Sequence, residues 1–206
     1  VVFSPESLAA IKEGADERRQ LLDQLLVSIS LKNADLLSEF RKALKSRNRV
    51  LKDILEGLQP KPVSISLLES LNASFFRLAA ELTSARIDAL KVLQNDFNTA
   101  MQYISGNKNV DISVEYVISG LNQLHFSSEE IADLMEKRAF ELREAEISSG
   151  TSLIGPQKHE ITFLYDQKDS RFYCSQGQQR AIILSFKMAQ IVYHRKTHGW
   201  YPVLML

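Results

Sequence analysis

Several things are scarce in this 206-residue sequence. There is one cysteine, Cys174, so an internal disulfide is excluded and a reducing compartment fits. There is no excess of either charge: 25 Lys and Arg stand against 25 Asp and Glu, so any nucleic-acid surface has to be a local one. No apolar run approaches the ~20 residues that a membrane-spanning helix needs, and no secretory signal is read at the start. A phosphate-cradling Gly-x-x-x-x-Gly-Lys-Ser/Thr loop is missing too. Gly150 and Gly155 have its glycine spacing, but Pro156-Gln157 stands where the Lys and the hydroxyl residue are required. What is present is 45% apolar and 24% charged, the balance of a soluble globular protein with one large domain or two small ones.

Val1-Val2-Phe3 reads as the end of a strand and Ser4-Pro5-Glu6 as a helix start with Ser4 as N-cap. A helix is predicted from about Asp16, carrying Leu21, Leu22, Leu25, Leu26 and Ile29 on one face. Another runs from about Asn33 to Glu56 and stops at Gly57. Gln59-Pro60-Lys61-Pro62 is the clearest linker. A long helix follows over about Ile65–Ile104, with Leu68, Leu71, Phe75, Leu78, Leu82, Leu93, Phe97 and Met101 on its apolar stripe. At ~1.5 Å per residue it would reach ~60 Å, so it is expected to project as an arm. Val110, Ile112, Val114, Tyr116 and Ile118 alternate as a half-buried strand. Ser127 and Glu130 form a capping box for a helix to about Ile147. Residues 150–156 are loop, Ile161–Tyr165 and Arg171–Cys174 are strands around a turn at Asp166–Ser170, 178–196 is helix and 201–206 a buried strand. The fold class is therefore α/β with a large helical insertion: residues 1–32 and 150–206 form part of an α/β head, and 33–149 a mostly helical arm. Both ends read as cut, so the sequence is expected to be a piece of a longer head.

Ser175-Gln176-Gly177-Gln178-Gln179-Arg180 precedes the last helix. A Ser and a Gly there offer a hydroxyl, a bare backbone N–H and the positive end of the helix dipole, the parts of a phosphate site. The plainer reading is a capped helix start, with Ser175 as N-cap. Residues 41–52 hold Arg41, Lys42, Lys45, Arg47, Arg49 and Lys52 with no acid. Lys42, Lys45, Arg49 and Lys52 share one helix side, away from Leu44 and Leu51. That side is either a solvated face or a contact for backbone phosphates. Without interleaved aromatics, little base stacking or sequence readout is expected of it. Arg18 and Arg19 open a helix, which the dipole disfavours, so a carboxylate across the head, a nucleotide phosphate or a buried salt bridge is expected to hold them. His194 and His198 have metal-compatible spacing but no accompanying ligands, and no metal site is assigned. Cys174 reads as a small packed hydrophobe.

Taken together, Phe3-Ser4-Pro5-Glu6, Arg18-Arg19 with Leu22-Asp23, Lys45-Ser46-Arg47-Asn48 with Leu51-Lys52, Gly155-Pro156 with Lys158, and Ser175-Gln176-Gly177-Gln178-Gln179-Arg180 resemble the ABC-type, SMC/Rad50-like family of bacterial DNA-repair ATPases, in its recombination-mediator branch. The resemblance spans the whole sequence. It departs from the family at Gln157-Lys158-His159-Glu160, where His and then a basic residue and an acidic pair usually follow Gly-Pro, and at Phe3–Glu6, where no Q-loop Gln is present.

The resemblance implies an ATPase head with its P-loop before Val1 and its Walker B acids after Leu206. Ser175, Gln176, Gly177 and Gln178 would then be the signature motif that meets, in trans, the γ-phosphate of ATP held by a second protomer. Lys42, Lys45, Arg49 and Lys52 become candidate DNA contacts. Arg18, Arg19 and Lys158 become candidate head or nucleotide contacts, and no catalytic residue falls inside the sequence. The implied parent is a weak DNA-stimulated ATPase of the SOS-linked repair response that uses ATP and Mg²⁺ and forms an ATP-dependent homodimer. It would bind single-stranded DNA and single-/double-strand junctions, work with recombination-mediator proteins, and be cytoplasmic and nucleoid-associated. This stretch alone is expected to hold no nucleotide and to hydrolyse none. The rival expectation is a non-enzymatic scaffold whose Leu-rich arm docks other proteins.

Overall fold

The structure, a computed structural model, describes residues 11–12, 14–122 and 126–203. Its elements are α1 (Ala15–Ile29), α2 (Leu31–Glu56), α3 (Lys61–Ser105), β1 (Ile112–Ile118), β2 (Leu121–Asn122), α4 (Ser128–Ser149), β3 (Glu160–Tyr165), β4 (Lys168–Asp169), α5 (Ser170–Tyr173) and α6 (Gln176–His198). They gather into two compact units: a head unit of Val1–Ile29, Arg86–Leu124 and His159–Leu206, and an arm unit of Ser30–Ala85 and His125–Lys158. The boundary crosses α3 and so divides the stretch 33–149 that the sequence reading groups as one arm. No helix among the described residues is long and apolar enough to cross a membrane.

In the head unit, β1 alternates buried and half-buried residues along its length, as its sequence pattern predicts. It lies second in an antiparallel sheet of order β2-β1-β3-β4, with Tyr116 opposite Ile161 and Val114 opposite Phe163. Two-residue turns close both hairpins, Ser119-Gly120 at φ 52° and 84° and Asp166-Gln167 at φ 47° and 63°. These left-handed pairs match the twist of the strands they join. Phe97 of α3, Phe163 of β3 and Phe186 of α6 meet edge to face with centroids 5.5–6.1 Å apart, the arrangement that ring quadrupoles favour. Leu21, Leu22, Leu25 and Leu26 of α1 are buried as expected.

A buried polar chain runs beneath this sheet. Arg86 donates to Asp23 (Nη2, 2.7 Å) and to the Tyr116 hydroxyl (3.4 Å), and that hydroxyl lies 3.0 Å from His159 Nδ1. With the hydroxyl donating to Nδ1, the His159 proton would sit on Nε2. Burial, with the charges of Arg86 and Arg19, pushes the His159 pKa down to about 3, so the ring is neutral at pH 7.

In the arm unit, Ser30 caps α2 by accepting from Lys32 N–H, and Gly57 at φ 65° ends it. Leu37, Phe40, Val50, Leu51, Leu68 and Phe75 are buried. So is Arg47, at 2% exposure. Its guanidinium takes the Glu146 carboxylate in a fork (Nη1–Oε1 2.9 Å, Nη2–Oε2 2.7 Å), donates to Ser152 Oγ and Asn72 Oδ1, and sits 5.0 Å from the Phe75 ring centre. Glu146 also accepts the Leu153 N–H at 2.8 Å, and Asn48 accepts the Ser152 N–H at 2.8 Å. The loop after α4 is therefore clasped by consecutive residues of α2. Gly155 in that loop has φ 111°, and a Cβ there would lie 3.1 Å from Phe75 Cζ. Backbone conformation and packing demand this glycine without any phosphate.

Four expectations change. The Pro60 linker is shorter than 59–62, since Pro62 lies in the first turn of α3, where its missing N–H costs no hydrogen bond. The long helix does not simply project: Leu68, Phe75, Leu78 and Leu82 are buried, as are Leu93, Phe97 and Met101. Arg171–Cys174 is not a strand; Asp169 accepts the Arg171 N–H and turns the chain into α5. Residues 201–203 have no regular structure, with no described strand beside them to pair with. The readings at Val1–Phe3, Ser4–Glu6 and Leu204–Leu206 lie outside the described residues.

Arg47→Ala is expected to destabilise the arm unit by about 3–5 kcal/mol, because it strands a buried carboxylate. Arg47→Met combined with Glu146→Leu should recover most of that loss. Urea unfolding of the three proteins, followed by circular dichroism, checks this; a double variant no more stable than Arg47→Ala contradicts it.

Candidate functional site

The first turn of α6 begins at Ser175, with φ −64° and ψ 162°. Its Oγ accepts the Gln178 N–H at 3.3 Å, and Gln178 Oε1 accepts the Ser175 N–H at 2.8 Å. This reciprocal capping box satisfies two groups that a helix start leaves bare. The Ser175 lone pair points into the turn, so its O–H proton remains available to donate outward. Ser175, Gln176 and Gly177 are exposed and Gln178 is half-buried. The helix behind them has 23 residues, long enough for a full N-terminal dipole.

Gly177 is the informative residue of this turn. Its φ is not in the left-handed region, and a Cβ built there meets only Ser175 Oγ, at 3.9 Å. Neither backbone strain nor packing among the described residues calls for glycine, and glycine costs a helix about 1 kcal/mol relative to Ala.

The turn rests on a braced floor. Gln179 is buried, and its Nε2 donates to the carbonyls of Ser170 (3.2 Å) and Cys174 (3.4 Å). Arg171 clamps Asp169 (Nη2–Oδ2 2.6 Å) and reaches Glu160 Oε2 at 3.9 Å. Glu160 Oε1 takes Arg18 Nε at 2.8 Å and the Ile161 N–H at 2.9 Å. Burial pushes the Glu160 carboxyl up, but Arg18, the Ile161 N–H and Arg171 outweigh it and hold the pKa below the ordinary value. Burial likewise pushes Asp169 up, and Arg171 and Arg18 bring it below. Both carboxylates are thus anions that keep their cations at neutral pH. Cys174 is half-buried and its thiol is raised, first by burial and then by Asp166 and Asp169, so it is no nucleophile.

Of the two arginines at the start of α1, Arg18 is buried against Glu160. Arg19 donates to the His159 carbonyl (2.8 Å) and to Asp16 (2.6 Å). For both, an acceptor within the head unit takes the place that the sequence left open to a phosphate. Lys158 is exposed and belongs to the arm unit. Lys42, Lys45, Arg49 and Lys52 are all exposed on α2, with Lys52 3.5 Å from Glu56. Arg47, from the same basic run, lies on the opposite, buried side. Its register with Leu44 and Leu51, three residues after one and four before the other, was the signal that it differed. His194 packs against His198 and Trp200, with ring centres 4.4 Å away in each case. No group of three or more His, Cys, Asp or Glu that could hold a metal occurs among the described residues.

A small sheet flanked by helices, a helical arm and an exposed Ser-x-Gly-Gln turn together resemble part of an ABC-type ATPase head with its arm. No protein-family model matches the chain. The DNA replication and repair protein RecF of Desulfitobacterium hafniense is 32% identical over 206 residues, covering 100% of this chain and 54% of that protein. RecF of Halothermothrix orenii is 32% identical over 209 residues, with the same coverage. A solved structure of the recombination mediator protein RecF with ATPrS, in the RecFOR pathway, superposes with a TM-score of 0.87 at 28% identity, covering 99% of this chain and 53% of that one. The chain resembles RecF from end to end, and a RecF segment fits it; it spans about half the length of the curated relatives it matches.

Since nothing inside the chain requires Gly177, Gly177→Ala is expected to stabilise the chain by about 0.5–1 kcal/mol through helix propensity. Denaturant unfolding of both proteins measures it. A clear loss of stability would show that the fold itself demands this glycine.

Proposed function

We propose that the protein to which this chain belongs is an ATP-gated DNA-binding protein of the RecF type. It acts at single-strand gaps and single-/double-strand junctions in recombinational repair, together with other mediator proteins. Two heads close around two nucleotides, and the Ser175 turn of each meets the terminal phosphate of ATP held by the other. The observation that carries this reading is a bare, exposed helix start whose glycine has no internal purpose. Ser175 supplies a hydroxyl donor, Gly177 an unshielded N–H, and α6 its dipole. Bound nucleotide supplies the negative charge that this turn is built to meet. The residues near the turn offer no carboxylate set for Mg²⁺, because Glu160 and Asp169 are engaged by arginines, and no role is assigned to that ion here. ATP then acts by preferring the closed dimer over the separate protomers, a population shift whose size is the difference between those two affinities.

On the arm, Lys42, Lys45, Arg49 and Lys52 form the DNA-facing side. They are exposed on one side of α2, while the other side is pinned through Arg47. The rival scaffold reading drew on the Leu-rich faces of the arm; the apolar stripe of α3 is buried, while Leu31, Leu55, Leu58, Val63 and Leu67 stay exposed, so a protein-docking role for the arm stands as the second reading.

In the full-length protein, Ser175→Arg is expected to leave ATP binding by the monomer nearly intact and to abolish dimerisation driven by a non-hydrolysable ATP analogue. Sedimentation velocity reads the outcome, and a normal dimer in the variant refutes action in trans. Changing Lys42, Lys45, Arg49 and Lys52 together to Gln should weaken DNA binding with little sequence bias. The slope of log K against log salt should flatten by up to ~0.9 per lost contact on duplex and ~0.7 on single strands. Titrations at several salt concentrations test this, and parallel slopes reject the DNA role for α2.

A further inference from the structure

Lys187 and Gln190 of α6 are both buried, at 4% and 6% exposure. Standing three residues apart, they share one side of the helix. Ile183, four residues before Lys187, and Phe186, four before Gln190, are buried too, so the surroundings are apolar. Lys187 makes no hydrogen bond or ion pair with any described residue, and Gln190 Nε2 has no acceptor. Burial alone holds the Lys187 ammonium below its ordinary pKa, with no carboxylate among the described residues near enough to oppose it. An ammonium taken out of water is costly unless an anion meets it. Any further segment of a longer protein can only deepen this burial.

We infer that Lys187 and Gln190 receive a carboxylate side chain from a part of the same polypeptide beyond the described residues. The donor set selects the ligand. One ammonium and one amide N–H match the two oxygens of an Asp or Glu. A phosphate needs more donors, and none is offered. Both residues lie more than three turns into α6, where the backbone N–H groups are already bonded along the helix. The cation calls for an anion, and the amide beside it supplies the further bond that a buried pair needs to offset its desolvation. The same polypeptide is the source because every folded copy bears the cost of a bare ammonium, whether or not it has met another. An acid on a second copy would leave that cost standing in the monomer. The chain spans about half the length of its curated relatives, so a RecF-type parent has a comparable length of sequence from which the acid can come. The inference rests on such a parent and not on the role proposed for Ser175, so the outcome of Ser175→Arg does not bear on it.

The test is the thermal stability of the full-length protein. Lys187→Met keeps most of the volume of the stem and removes the charge. With a carboxylate against Lys187, the variant leaves that acid buried and unpaired, and the melting temperature should fall by at least about 5 °C. An ammonium with no acid against it predicts the opposite sign, because Met then relieves a desolvated charge. A melting temperature equal to or above the native value therefore overturns the inference. Gln190→Leu is a milder variant that decides the matter if Lys187→Met does not fold. It should also lower the melting temperature, and a rise or no change overturns the shared acceptor. In the double variant the two losses should combine to less than their sum, because both side chains serve one acid; strict additivity rejects the common site. The source is read from protein concentration. A loss that stays constant over about a hundred-fold range of concentration places the acid in the same polypeptide. One that grows with concentration places it on a second copy and overturns the source argued above.

Discussion

The candidate site depends on one carboxylate, Glu160. It stands at the first residue of β3 and ties three pieces of the head unit: Arg18 of α1, the Ile161 N–H of its own strand and Arg171 of α5. Arg18 is buried at 3% exposure while the Glu160 side chain is 31% exposed. Solvent therefore softens the attraction at the carboxylate end, but the cost of leaving Arg18 without a partner stays high. Arg171 passes the restraint to Asp169, and Asp169 caps the short helix that delivers Ser175. An exposed turn can hold a fixed geometry only if the groups under it are locked, and here they are locked by charge.

The same economy governs α2. One side of this helix carries four exposed cations, and the other buries a fifth, Arg47, in a fork to Glu146. A buried arginine is weak evidence of stability, because its desolvation offsets much of the attraction. Its clearer effect is specificity of place. Asn72, Ser152 and the Leu153 N–H all bond to the same pair, so α2 keeps one rotation about its axis. That rotation puts Lys42, Lys45, Arg49 and Lys52 outward together. Packing of one arginine thereby sets the orientation of a surface that a different chemistry would use.

The Ser175 turn is notable for what its neighbours do not require. Gly155 and Gly177 both sit in stretches where the sequence invites a phosphate reading, yet they differ physically. Gly155 is explained by a φ of 111° and by Phe75. Gly177 has ordinary helical geometry and open space around it. The first glycine is required by the fold, and among the described residues nothing in the fold requires the second.

Much was legible from local pattern. The strict alternation of Ile112–Ile118, the capping box at Ser127, the N-cap at Ser175, the Gly57 stop and the apolar stripes of α1 and α3 all reappear, because each is set by residue spacing within a few residues. The motif residues and their order were also enough to point to an ABC-type repair ATPase. Tertiary structure alone decided the rest. Periodicity gave α3 its apolar stripe but did not reveal that both halves of that stripe are covered. Arg171–Cys174 has β-like composition, but Asp169 bonds the Arg171 N–H and diverts it into a helical turn. Arg18 and Arg19 were left open to a carboxylate, a phosphate or a buried salt bridge, and acceptors more than a hundred residues away hold them. Short-range hydrogen bonding and side-chain periodicity are written in sequence. Which buried charge meets which is settled by chain segments far apart, through a desolvation balance that no local window contains.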